Sequence, residues 1–133
     1  GSDNFPTTAG AYQTSHAGGV LIDYESNSIR FANGSDIFVS RFSADGTTLQ
    51  ASTYVGGSGN DGLNYRQHFN NNIRTVMAGN DSLYYNYGDG ARGEIITDDL
   101  GNVYVGSTTM SSDFPTTAQS VQPNHAPGQD GVA

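Results

Sequence analysis

Asp3-Asn4-Phe5-Pro6-Thr7-Thr8-Ala9-Gly10-Ala11-Tyr12-Gln13-Thr14-Ser15-His16-Ala17 is written a second time in the chain, as Asp113-Phe114-Pro115-Thr116-Thr117-Ala118-Gln119-Ser120-Val121-Gln122-Pro123-Asn124-His125-Ala126. Phe5 and Phe114 lie 109 positions apart, and the match runs without a gap through His16 and His125. Self-similarity of this kind is the signature of a repeat architecture, in which one unit does not bury its apolar face alone. Beyond the histidines the copies diverge. Gly19 is followed by sixteen residues before Asp36-Ile37-Phe38-Val39, whereas Gly128 is followed by Gln129 and then Asp130-Gly131-Val132. The first copy thus carries an insertion of about fifteen residues.

Between the copies the sequence reads as hairpins. Residues 36–42 (DIFVSRF) are rich in β-branched and aromatic side chains, Ser43-Ala44-Asp45-Gly46 is a turn, and 49–55 (LQASTYV) is the return strand. Residues 94–97 (EIIT), the turn 98–102 (DDLGN) and 103–108 (VYVGST) repeat the pattern. Each turn holds a Gly where positive φ is cheap and an Asp able to bond the local backbone. No window shows a 3.6-residue apolar period over three turns, so the expected fold class is all-β with almost no helix. Composition agrees: 18 Gly, 14 Ser, 12 Thr and 12 Asn supply turn chemistry, while 8 Tyr and 6 Phe supply core material. With 133 residues, 35% of them hydrophobic, the chain allows one modest domain.

Charge narrows the partners. Five Arg and no Lys face eleven Asp and two Glu, a net charge of -8 that repels nucleic acid and anionic membranes. No apolar run approaches the length needed to span a bilayer. Cysteine is absent, which removes disulfides and thiolate metal sites.

The joint order of residues 99–105 (DLGNVYV), 111–117 (SSDFPTT), 36–42 (DIFVSRF) and 51–61 (ASTYVGGSGND) resembles the bacterial β-propeller repeat often called the SBBP repeat. The added stretch 88–94 (GDGARGE) is similar to large surface proteins of Bacteroidota, including gliding-motility-associated cargo of the type IX secretion system. The resemblance implies parts of two adjacent propeller blades: a loop between hairpins (1–19), an insertion (20–35), an outer hairpin (36–55), a second insertion with its own hairpin (63–91), the inner hairpin of the next blade (94–108), and a second loop leading into a strand (109–133). A propeller ring needs at least about four blades. The expectation is therefore an excerpt of a longer chain whose remaining blades are its first partners, secreted or displayed on the outer cell surface.

Catalytic chemistry finds little footing. There is no Cys, and Gly56-Gly57-Ser58-Gly59-Asn60 falls one residue short of the Gly-x-Ser-x-Gly elbow. His16 and His125 occupy equivalent repeat positions, which points to structural roles, and His68 falls in the second insertion. Gly88-Asp89-Gly90-Ala91-Arg92-Gly93 satisfies the dinucleotide pattern formally, yet Glu94-Ile95-Ile96 begins a strand where pyrophosphate binding requires a helix N-terminus. Oxygen donors for calcium cluster at Asn60-Asp61, Asn80-Asp81, Asp89 and Asp98-Asp99, with Asp61 and Asp89 the weak metal candidates, but none has EF-hand spacing. Asx-turn bonding accounts for these residues without an ion, so no cofactor is expected. Glu25 and Glu94 are the only glutamates available to a glycosidase pair.

Specific function is expected in the insertions, because rim loops vary freely while repeat residues fill the core. Within 63–91, Leu63 to Asn72 reads as a loop, followed by a hairpin of Ile73–Ala78, a turn at Gly79-Asn80-Asp81, and Ser82–Tyr87. Tyr65, Arg66, Tyr84, Tyr85 and Tyr87 form a candidate surface for stacking on a glycan or docking a protein; packing of the hairpin onto the blade is the plainer role for half of the tyrosines. Asn33-Gly34-Ser35 and Asn80-Asp81-Ser82 match the N-glycosylation sequon, and Ser82 sits in an Asp-Ser-apolar pattern similar to Bacteroidota O-glycosylation sites. The expected function is a non-enzymatic adhesin or scaffold module; the alternative is a carbohydrate-active or calcium-dependent surface enzyme.

Overall fold

The computed structural model describes residues 3–24, 29–63, 65–70, 73–78, 93–126 and 128–133. Across them the chain is all-β, with nine strands and no helix; accordingly no helix among these residues is long and apolar enough to cross a membrane. The strands are β1 (Ile22–Tyr24), β2 (Ile29–Phe31), β3 (Ile37–Phe42), β4 (Leu49–Val55), β5 (Tyr65–Asn70), β6 (Ile73–Ala78), β7 (Glu94–Thr97), β8 (Val103–Thr109) and β9 (Asp130–Val132). They form three two-stranded sheets, β1-β2, β3-β4 and β5-β6, and one three-stranded sheet in the order β7-β8-β9, all antiparallel.

Turn chemistry fixes the two principal hairpins. Gly46 closes the β3-β4 turn at φ 73°, and Gly101 closes β7-β8 at φ 82°. Beside Gly46, the Asp45 carboxylate accepts from the Ser43 hydroxyl at 2.5 Å and the Thr47 amide at 3.1 Å, which holds its pKa down to about 2. Asp98 accepts from the Asn102 side chain at 2.7 Å and from the amides of Asn102 and Leu100, so its pKa is also depressed. The register shift between Arg41 and Phe42 leaves Gln50 of β4 as the extra residue, a bulge near the start of that strand.

The core sits on β4. Tyr54 and Leu63 are the buried apolar side chains among the described residues. Tyr54 lies edge-on to Phe5 (ring centroids 6.3 Å) and to His16 (5.8 Å), and Phe5 rests on Phe38 at 4.1 Å. By contrast β7 is exposed along its whole length, with Ile95 and Ile96 more than half accessible on opposite faces.

The second insertion folds differently from its sequence expectation. Tyr65–Asn70, expected as loop, is β5, and it pairs with β6 from Tyr65↔Ala78 to Asn70↔Ile73. Tyr65 and Phe69, four positions apart, give this stretch strand character, and only Asn71 and Asn72 separate the strands in sequence, a residue type that tight hairpins favour. The expected turn at 79–81 and strand 82–87 lie outside the described residues. In the first insertion β1 pairs with β2 from Ile22↔Phe31 to Tyr24↔Ile29, and β1 runs beside β6, so the two insertions meet.

Candidate functional site

Three polar assemblies surround the core. The first is a clamp that occurs twice. Asp36 accepts from the Ala17 amide at 2.7 Å and from Gln13 Nε2 at 3.2 Å, while Gln13 Nε2 also reaches the Ser15 carbonyl at 2.9 Å. In the second copy Asp130 accepts from the Ala126 amide at 2.7 Å and Gln122 Nε2 at 3.1 Å, and Gln122 reaches the Asn124 carbonyl at 3.2 Å. The loop interiors match as well: Thr7 Oγ1 to the Thr14 carbonyl corresponds to Thr116 Oγ1 to the Pro123 carbonyl, and the Ala11–Thr8 turn corresponds to Ser120–Thr117.

Each clamp also sets a histidine against its aspartate. Nε2 of His16 lies 3.9 Å from Asp36, and Nε2 of His125 lies 3.9 Å from Asp130. His16 Nε2 and Asp36 Oδ1 are buried without a hydrogen bond. Burial pushes the Asp36 carboxyl above its ordinary range, against the opposing pull of the Ala17 amide and His16.

The second assembly is a stitch built from residues 56–62. Ser58 donates from its amide (2.7 Å) and hydroxyl (3.0 Å) to Asp113, Gly59 N donates to Ser111 Oγ at 2.9 Å, and Gly62 N donates to the Thr108 carbonyl at 2.8 Å. These bonds join the β3-β4 hairpin to the end of β8 and the second repeat loop. Glycine is required at 59 because a Cβ there would stand 2.6 Å from the Met110 carbonyl oxygen. Buried Asn60 accepts from Ser35 N at 3.1 Å and donates to the Val20 carbonyl at 3.2 Å.

Asp61 is the third and innermost element. Its carboxylate accepts from Gly57 N at 2.8 Å, from Ser111 Oγ at 2.8 and 2.9 Å, and from Thr109 Oγ1, while its backbone bonds Ser35 on both sides. Burial raises its pKa even though all three donors oppose that shift. Both oxygens of this metal candidate therefore already serve protein donors. Among the described residues no cluster of three or more His, Cys, Asp or Glu is placed to hold a metal.

Between β3-β4 and β7-β8 opens a cleft of about 370 Å³, lined by apolar residues including Phe38, Leu63, Ile95 and Val105, with His16, Asp36 and Asp61 at its polar end. It can accept an apolar group beside a buried His–Asp pair. Of the serines in its lining, Ser35 donates to the Asp61 carbonyl at 2.9 Å.

Of the residues singled out from sequence, Asp61 sits in the stitch, and Tyr65 and Arg66 open β5, opposite Ala78 and Met77. Ser82, Tyr84, Tyr85, Tyr87 and Asp89 lie outside the described residues. Sequence reasoning passed over Thr109 and Ser111, the hydroxyl partners that make Asp61 a node. No family model, curated protein or solved structure matches the chain.

Proposed function

We propose that this chain is a non-enzymatic interaction module from a tandem-repeat surface protein, built as portions of two neighbouring β-propeller blades of the SBBP kind. The observation that carries this reading is the doubled clamp: one hydrogen-bond set, including the His–Asp pair, is used at both repeat positions, as a scaffold motif is and a catalytic group seldom is. The stitch supports it by tying one hairpin unit to the next through backbone and short polar side chains. The uncovered apolar faces of β7 and β8 support it too, since Ile95, Ile96 and Tyr104 have the character of surfaces that neighbouring blades cover. In this reading the insertions 20–35 and 63–91 carry the specificity, and the acidic surface keeps the module soluble outside the cell.

A glycan array probed with the purified chain tests the role directly. Saturable binding that falls at least tenfold in Tyr84→Ala and Tyr85→Ala is the expected result, and unchanged binding in both removes the aromatic surface from the proposal. Turnover of any bound glycan by the chain would overturn the non-enzymatic reading in favour of a carbohydrate-active enzyme.

A further inference from the structure

The cleft between β3-β4 and β7-β8 ends in two polar atoms that the fold leaves unanswered. Its walls come from residues 5 to 107, so its shape is set by the two hairpins and the first repeat loop. One carboxylate oxygen of Asp36, Oδ2, accepts from the Ala17 amide at 2.7 Å and from Gln13 Nε2 at 3.2 Å. The other, Oδ1, is buried without a hydrogen-bond partner, and so is His16 Nε2, 3.9 Å away. These two side chains are 5% (His16) and 0% (Asp36) exposed, and both residues line the cleft. Two points so spaced admit one nitrogen at about 2.8 Å from each, the length of a charge-assisted hydrogen bond.

The surroundings indicate what kind of group completes the pair. Charge comes first: Asp36, Asp61 and Glu94 all line the cleft, no arginine is among its described lining residues, and the chain has no lysine. Burial, and after it the Asp61 charge, pushes the Asp36 carboxyl up against the pull of Ala17 and His16, so a cation at this point relieves both effects. The walls are aromatic as well, with Phe5, Phe31, Phe38 and Tyr54 in the lining, and ring faces attract cations. Size sets the rest of the ligand. The cleft, at about 370 Å³, has more than twice the volume of the apolar cavity of about 150 Å³ that accepts benzene, which leaves room for a ring on a short stem.

We propose that this cleft binds a small primary amine carried on an apolar, ring-bearing stem, its ammonium seated between Asp36 Oδ1 and His16 Nε2. The ammonium donates one N–H to the carboxylate and a second to the imidazole, whose own proton then sits on Nδ1. Its stem lies along the apolar wall formed by Phe38, Ile95 and Val105. Both polar atoms are sealed from water in the free chain, so the head group enters with a side-chain rearrangement of the kind that binding commonly brings. The site goes beyond the scaffold role and stands whether or not the module binds glycans.

The test is calorimetric titration of the full chain at neutral pH with 2-phenylethylamine and with 2-phenylethanol, which keeps the ring and stem and lacks the charge. Saturable binding of the amine, at least tenfold tighter than that of the alcohol, is the expected result. Asp36→Asn keeps an oxygen for Ala17 and Gln13 and turns the Oδ1 position into a donor, so it should weaken amine binding at least tenfold. Asp130→Asn removes the same charge from the second copy and should leave binding unchanged. No saturable amine binding, or equal binding of amine and alcohol, would overturn the site, and this comparison needs only the wild-type chain should Asp36→Asn fail to fold. Equal weakening by the two variants would also overturn it, by showing attraction to the acidic surface as a whole.

Discussion

The repeat loop at residues 5–17 and its twin at 114–126 hold nearly the same internal hydrogen bonds, although one is packed against a strand and the other is open to solvent. The loop conformation is therefore encoded largely within the motif, by Thr and Gln side chains bonding its backbone, with an Asp carboxylate added just after it in the second copy and from beyond the insertion in the first. What the strand adds is burial. Tyr54 is 2% exposed at the centre of the first unit, and among the described residues no such ring stands in the second. Local polar bonding shapes the unit, and one aromatic side chain from the following strand makes it a core.

The sharpest way to break that contrast is to remove the tyrosine. Tyr54→Ala should cost about 3–5 kcal/mol, the range for deleting a buried large aromatic side chain, and should leave the first loop as open as the second. Tyr54→Phe isolates the hydroxyl: Phe5 N loses its acceptor, at about 1–2 kcal/mol. Urea denaturation of the three proteins measures both, and equal midpoints for wild type and Tyr54→Ala would refute a core centred on this ring.

A smaller difference is expected between the clamps. The Asp36 side chain is fully buried and that of Asp130 is 20% exposed, so Asp36→Ala should cost about 2–3 kcal/mol and Asp130→Ala about 1 kcal/mol or less, because water replaces lost bonds only at the second site. Hydrogen exchange at Ala17 and Ala126, the amides the two carboxylates hold, reads each clamp separately. Equal loss of protection would mean that burial does not distinguish them.

The smallest effect is electrostatic. Asp61 has its pKa raised by burial, so its ionisation opposes folding. Its contribution is complete below the ordinary carboxylate value near 3.8 and is lost as pH rises through the higher folded value. In Asp61→Asn the amide oxygen can still accept from Gly57 N, and the Thr109 and Ser111 hydroxyls can turn to accept from the amide nitrogen. The variant should therefore fold, with a shallower dependence of the urea midpoint on pH between 4 and 7. Parallel profiles would show that the buried carboxylate carries no such penalty.

Much of this fold was legible from residue order. β4 and β7 begin and end where the sequence placed them, β8 runs one residue past its expected end, and the Gly46 and Gly101 turns follow their Asp-Gly chemistry. These elements are specified by neighbours in sequence. β5 was missed because its two aromatic residues are diluted by Arg, Gln, His and Asn, and the sequence after it reads Asn-Asn with no glycine. The Asp61 node was missed for a different reason. Thr109 and Ser111 lie 48 and 50 positions away, so only the folded chain brings them to one carboxylate. Polar residues of that kind look like surface until their partners are known.

The clamp has one more consequence, for what the fold can carry. Asp130 closes on Ala126 across three intervening residues and Asp36 closes on Ala17 across eighteen, with the same 2.7 Å bond. Lengthening a flexible segment sixfold costs only about 1.6 kcal/mol of closure entropy, and the paired strands β1 and β2 recover part of it. The point between Ala126 and Asp130 is thus a natural port for grafting: a foreign segment placed there begins and ends at fixed, neighbouring positions, and the sheet beneath need not know its sequence.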